Sequence, residues 1–105
     1  MYEEKKHYLG KYLLQETKIN TLKQMMDKNP QRKEYYERKI ENCKKLRFQI
    51  EQVIESVEDN TLSEVLYQKY IFGRTLEQIG CILNYSKRHI ERLHIKALEK
   101  IEIDL

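Results

Sequence analysis

Residues 75–98 read "TLEQIGCILNYSKRHIERLHIKAL". The spacing predicts two helices with a sharp break between them. Leu76, Ile79 and Leu83 fall on one face of the first. "NYS" at Asn84–Ser86 interrupts it. Ile90, Leu93, Ala97 and Ile101 then recur at steps of three, four and four on the second. Thr75 with Gln78 three residues on forms a capping box, and Ser86 is a favourable first cap for the helix that follows. Gly80 supplies the small residue that two closely crossing helices need, and "NYS" supplies the turn.

At about 100° per residue, the face opposite the apolar stripe carries Arg88, Arg92, Ile95 and Glu99. Glu91 and Lys96 flank it, and Lys87 stands in the first turn. From Ser86 to Lys100 there are five Lys and Arg against two Glu, so this helix carries +3 and the remainder nets to zero. A helix N-terminus ordinarily favours acidic residues, yet the first turn here is Lys87-Arg88-His89. That arrangement costs about a few tenths of a kcal/mol per charge in isolation and becomes favourable when phosphates arrive.

Upstream, "TLSE" at Thr61–Glu64 reads as another capping box, with Thr61 at the cap and Glu64 reaching back. The helix it opens runs to about Ile71. Gly73 in "FGR" suits a left-handed C-cap. "EDNT" at Glu58–Thr61 marks a boundary. Before it, Tyr8, Tyr12, Gln15, Ile19, Leu22 and Met26 recur at alternating four and three, a coiled-coil seam. Pro30 in "DKNP" ends that helix at its predecessor and suits the first turn of the next. Tyr36, Ile40, Cys43, Arg47, Ile50, Ile54 and Val57 continue the seam, with Arg47 its polar exception.

The expectation is therefore an all-α protein with helices near residues 2–28, 30–57, 62–71, 75–83 and 86–101. Residues 1–58 form an antiparallel, coiled-coil-like hairpin, each arm roughly 40 Å long at about 1.5 Å per residue. Residues 59–105 form a helix-turn-helix unit. Two helices alone bury little, so the seam calls for a partner: the C-terminal helices, a second copy, or both.

With 35% charged residues but a formal net charge of only +3 over 105 residues, a salt-bridge-laced helical protein fits better than a polybasic tail. One Pro and three Gly leave long helices free to form. No apolar run approaches the roughly 20 residues of a membrane span. "MYEEKKHYLGKY" lacks the apolar centre of a signal peptide, so a cytoplasmic location is expected. Cys43 and Cys81 lack disulfide or zinc spacing and read as reduced, semi-buried thiols. His7, His89 and His94 read as surface residues, and no metal or other cofactor is expected. No Gly-rich phosphate loop, nucleophile–base set or paired carboxylates point to an enzyme. Ser63 and Ser86 are helix-start residues. Most of the eight tyrosines fall on the seams, and Tyr85 is expected to pack under the turn, with contact to a phosphate as the alternative.

"TLEQIG", "YS" before a basic helix and "KALEKI" resemble region four of bacterial sigma factors, the module that reads the −35 promoter element. The approach "LSEVLYQKYIFGRTLEQIG" extends the resemblance. Leu66, Tyr70-Ile71, Gly73, Thr75, Ile79, Leu83, Tyr85-Ser86, Ile90, Arg92-Leu93-His94 and Ala97-Leu98 resemble more closely the ArpU and RinA-like phage regulators of late transcription. The likeness covers residues 62–101. It implies a sequence-specific DNA-binding transcription regulator of phage or prophage origin, with base-reading positions at Lys87, Arg88, Glu91 and Arg92. Lys96, Ser86 and Thr75 complete the expected DNA-contacting set. Sigma factors usually carry a basic–acidic pair at the first two positions. This chain has two basic residues there, which implies a target other than the standard −35 hexamer. Segments that open DNA at the −10 element have no counterpart, so a complete sigma factor is not expected. Double-stranded DNA, a second copy of the chain and RNA polymerase are the implied partners. Two alternatives stand beside this reading: a small terminase-like packaging subunit, and an adaptor whose basic helix meets an acidic protein surface.

Overall fold

The computed structural model describes residues 1–103, and these form an all-helical protein without a strand among them. α1 spans Tyr2–Lys28 and a single 3-10 turn spans Pro30–Arg32. α2 follows at Lys33–Glu55, α3 at Asn60–Leu66, α4 at Leu76–Leu83 and α5 at Lys87–Lys100. Pro30 acts as expected: α1 stops two residues before it, and the proline opens the next turn.

α1 and α2 pack along their length in opposite directions. Tyr12 donates its phenol proton to Glu51 at 2.7 Å, and Glu16 meets the half-buried Arg47 at 3.7 Å. The polar seam residue Arg47 thus has a carboxylate opposite it. Gln15 is buried at its seam position. Beyond this point the layer thins to Ile19, Ile40 and Cys43, with Leu22 half-buried beside them.

The main core lies nearer the chain termini and crosses the turn between α2 and α3. Leu9 of α1, Ile50 and Ile54 of α2, Leu66 of α3 and Leu98 of α5 are all fully buried in one cluster. Burial of each such side chain contributes about 1.5–3 kcal/mol. A second cluster joins Val65 of α3, Ile79 of α4 and Ile90 of α5. The three short helices therefore pack on one another and, through α3 and α5, on the α1–α2 pair.

The start of α3 differs from the expected capping box. Its cap is Asp59, whose carboxylate accepts from the Leu62 N–H at 3.0 Å, and the helix begins at Asn60. Thr61 lies inside the first turn, and Glu64 instead accepts from the Gln68 amide at 2.7 Å. A carboxylate is a strong cap and also complements the positive helix end, which favours Asp59 over Thr61. After Leu66 the helix widens into a π turn at Tyr67–Ile71. It closes through Phe72 N–H to the Tyr67 carbonyl and Arg74 N–H to the Gln68 carbonyl. Gly73 takes the left-handed conformation there, with φ of 69°.

Candidate nucleic-acid interface

The α4–α5 pair is fixed by short-range bonds that the residues themselves dictate. Thr75 Oγ1 accepts from the Gln78 N–H at 3.2 Å, and the Gln78 side chain accepts from the Thr75 N–H at 2.9 Å. Asn84 ends α4 in the left-handed region with φ of 63°, a conformation Asn tolerates better than most side chains. Tyr85 N–H then donates back to the Gly80 carbonyl at 2.8 Å. A Cβ on Gly80 would stand 2.6 Å from the Tyr85 carbonyl oxygen, so the turn can fold this tightly only over glycine. Ser86 Oγ accepts from the His89 N–H at 3.1 Å and starts α5.

α5 buries Ile90, His94, Ala97 and Leu98, with Leu93 half-buried, and Ile101 is buried just past its end. Two groups from α1 hold its far end. Lys5 donates to the Leu98 carbonyl at 2.8 Å, and Tyr2 donates to Glu99 at 2.8 Å. That hydrogen bond to an anionic carboxylate raises the Tyr2 phenol above its ordinary pKa. The first turns of α1 thus set where α5 points.

Of the expected contact residues, Arg88, Glu91, Arg92 and Lys96 are exposed on α5, and none of the four forms an ion pair among the described residues. Arg88 and Arg92 stand one turn apart. Lys87 is exposed as well but meets Glu77 of α4 at 3.3 Å, a solvent-facing pair of small energetic weight. Thr75 and Ser86 are exposed at the two helix starts, with their side-chain oxygens accepting from backbone. Ile95, outside the expected set, leaves 44% of its surface open on the same side as Arg88 and Arg92.

Three sequence expectations need correction. His94 is not a surface residue: it is 5% exposed, and its Nε2 shares a 2.7 Å hydrogen bond with the buried Tyr70 hydroxyl. Its position in the series Ile90, His94, Ala97 and Ile101 places it on the inward stripe. Burial, with smaller contributions from Lys69 and Lys6, presses its pKa down from 6.5 to about 4. Burial likewise pushes the Tyr70 phenol well up. Tyr85 does not pack under the turn. It is exposed, with its ring edge-on to His89 at 4.7 Å between centroids. The two cysteines are not alike: Cys43 is buried and Cys81 is exposed.

The exposed face of α5 therefore offers the Arg88 and Arg92 guanidinium groups and the Lys96 ammonium beside the carboxylates of Glu91 and Glu99, the latter bonded to Tyr2. Such a surface can pair with acceptors on base edges and with phosphate oxygens. No family model matches this chain, and no match is found among curated proteins or solved structures.

Proposed function

We propose that this chain is a sequence-specific, double-stranded-DNA-binding transcription regulator of phage or prophage origin. In this reading α4 and α5 are a helix-turn-helix of the sigma region-four kind, and α5 enters the major groove. Arg88, Glu91 and Arg92 read base edges. Lys87 and Lys96 meet phosphates, and Thr75 and Ser86 approach the backbone at the two helix starts. α1 and α2 are a coiled-coil-like hairpin through which two copies associate, presenting two recognition helices to two half-sites.

The observation that carries the reading is the exposed face of α5. Arg88 and Arg92, with no ion-pair partner among the described residues, project one turn apart from a helix seated by the Gly80 crossing and the Ser86 cap. Arg is the side chain that pairs bidentately with guanine O6 and N7. Selection of bound duplexes from a random pool tests it. The expected result is a defined, repeated half-site. Recovery of unrelated sequences would remove the regulator reading, and a stable ring of many copies would favour a packaging subunit instead.

A further inference from the structure

We propose that the distal half of the α1–α2 pair is a second DNA contact, gripping backbone phosphates outside the site that α5 reads; it rests on the DNA-binding reading above. Residues 18–45 carry nine Lys and Arg against four Asp and Glu. That local charge of +5 exceeds the +3 of the whole chain. Among the described residues only Lys33 in this segment forms an ion pair, with Glu37 at 3.8 Å. The other eight cations are exposed and lack a carboxylate within 4.0 Å.

Two of these cations meet at one surface. Lys18 and Lys39 line one open groove between the helices, together with Thr17, Thr21 and Asn42. Asp27, Glu37 and Glu41 lie on the far sides of α1 and α2 from these two lysines, where Lys23 and Lys44 also fall, so no carboxylate of the segment shares the groove. At the link end, the Arg32 guanidinium sits 4.3 Å from the Tyr35 ring centroid and the Lys39 ammonium 5.1 Å from it. Tyr35 thereby joins Arg32, at the link between the helices, to Lys39 of the groove. A hydrogen bond to Lys39, with help from Arg32, keeps its hydroxyl below the usual phenol range.

This chemistry fits a polyanion with regularly spaced charges. A protein interface is usually centred on large apolar side chains, and among the residues lining the groove only Leu22 and Cys43 are apolar in type. Phosphate contact needs no such centre, because released counterions supply the free energy. The molecule is 52 Å along its longest axis, against roughly 34–36 Å for one turn of duplex. The molecule is thus long enough to span more than one turn of duplex.

The test uses the full chain and two combined variants: Lys18→Ala with Arg32→Ala and Lys39→Ala, and Arg88→Ala with Arg92→Ala. Binding is measured against salt on a short duplex that ends at the edges of the selected site and on a scrambled duplex extending several turns further. The triple variant should lower the salt slope on the long duplex by about two to three units per protomer and leave the short duplex unaffected. A charge-conserving set, Lys18→Arg with Arg32→Lys and Lys39→Arg, should restore the slope, which a folding defect in the alanine set would not explain. An unchanged slope in the triple variant overturns the distal contact. If that happens while the arginine pair still costs site preference, the reading of α5 stands alone. If the triple variant loses slope and the arginine pair changes nothing, the distal contact stands and the reading of α5 falls. Absence of any duplex binding at low salt removes both.

Discussion

Arg88 and Lys96 share one helix but should fail differently when removed. Arg88 projects from the face opposite the buried stripe, where a bidentate pair with guanine would form, so Arg88→Ala should weaken the selected site by about 1–3 kcal/mol and relax preference at one base position. Lys96 flanks that face. Lys96→Ala should weaken all duplexes alike and lower the salt slope by about one unit per protomer. Titrations of both variants on selected and scrambled duplexes check this, and equal losses on both duplexes for Arg88→Ala would contradict the assignment. The outward residues were legible because helical spacing alone places them. His94 is the exception: an imidazole is polar and suits a surface, yet its spacing from Ile90 and Ala97 places it inward. Its depressed pKa has a stability consequence with a definite sign. The unfolded chain takes up a proton near pH 6.5, and the folded chain resists until about pH 4. The stabilisation is thus complete above about pH 6.5 and is lost progressively as pH falls towards 4. Urea midpoints should drop more from pH 7.5 to pH 5 in the wild type than in His94→Gln. Identical drops would show that His94 does not titrate as its burial dictates.

Helix limits show where local chemistry decides an element and where it is ambiguous. α4 begins at a capping box that "TLEQ" announces, and α1 stops ahead of Pro30, whose ring forbids any other outcome. α3 is the ambiguous case. Both "DNTL" and "TLSE" offer a cap followed by an apolar run, and the register with the carboxylate at Asp59 prevails. Asp59→Ala should therefore cost about 0.5–2 kcal/mol, as the loss of a helix cap does. Thr61→Ala, away from the cap, should stay within about 0.5 kcal/mol. Urea unfolding of the two variants checks the register, and a reversed order would restore Thr61 as the cap. Nothing in the spacing announces the π turn at Tyr67–Ile71, because the same apolar positions suit a continuous α-helix. The distal α1–α2 pair is a second case. Read helix by helix its charges look like ordinary solvated lysines, and they become one surface only when Lys18 and Lys39 meet across the groove.

At the scale of the molecule, two properties follow from how apolar surface is shared. Large apolar side chains remain open on the long helices, Phe48 at 58% and Leu14 at 51% exposure. The proposed homodimer would cover them. Light scattering at micromolar concentration should give twice the chain mass, with Phe48→Lys shifting it towards monomer, and a monomeric wild type would remove the proposal. The second property concerns the boundary near residue 58. A chain read from sequence divides there, because "EDNT" interrupts the helical pattern. Yet the buried cluster of Leu9, Ile50, Ile54, Leu66 and Leu98 spans that boundary. Lys5 and Tyr2 also bind the far end of α5. Long-range packing of this kind leaves no local trace in the spacing, since each helix needs only an apolar stripe whatever it faces. If the cluster couples the two segments, they should unfold together. Leu9 is fully buried in it, and Leu9→Ala should cost about 2–5 kcal/mol through lost burial and the cavity left behind. The informative readout is amide exchange under conditions where global opening dominates. Leu9→Ala should speed exchange at Ile90–Leu98 of α5 by the same factor as in the middle of α1, because both would open in one cooperative event. Protection that falls in α1 while α5 stays at its wild-type rate would instead establish two units that share a surface without sharing stability.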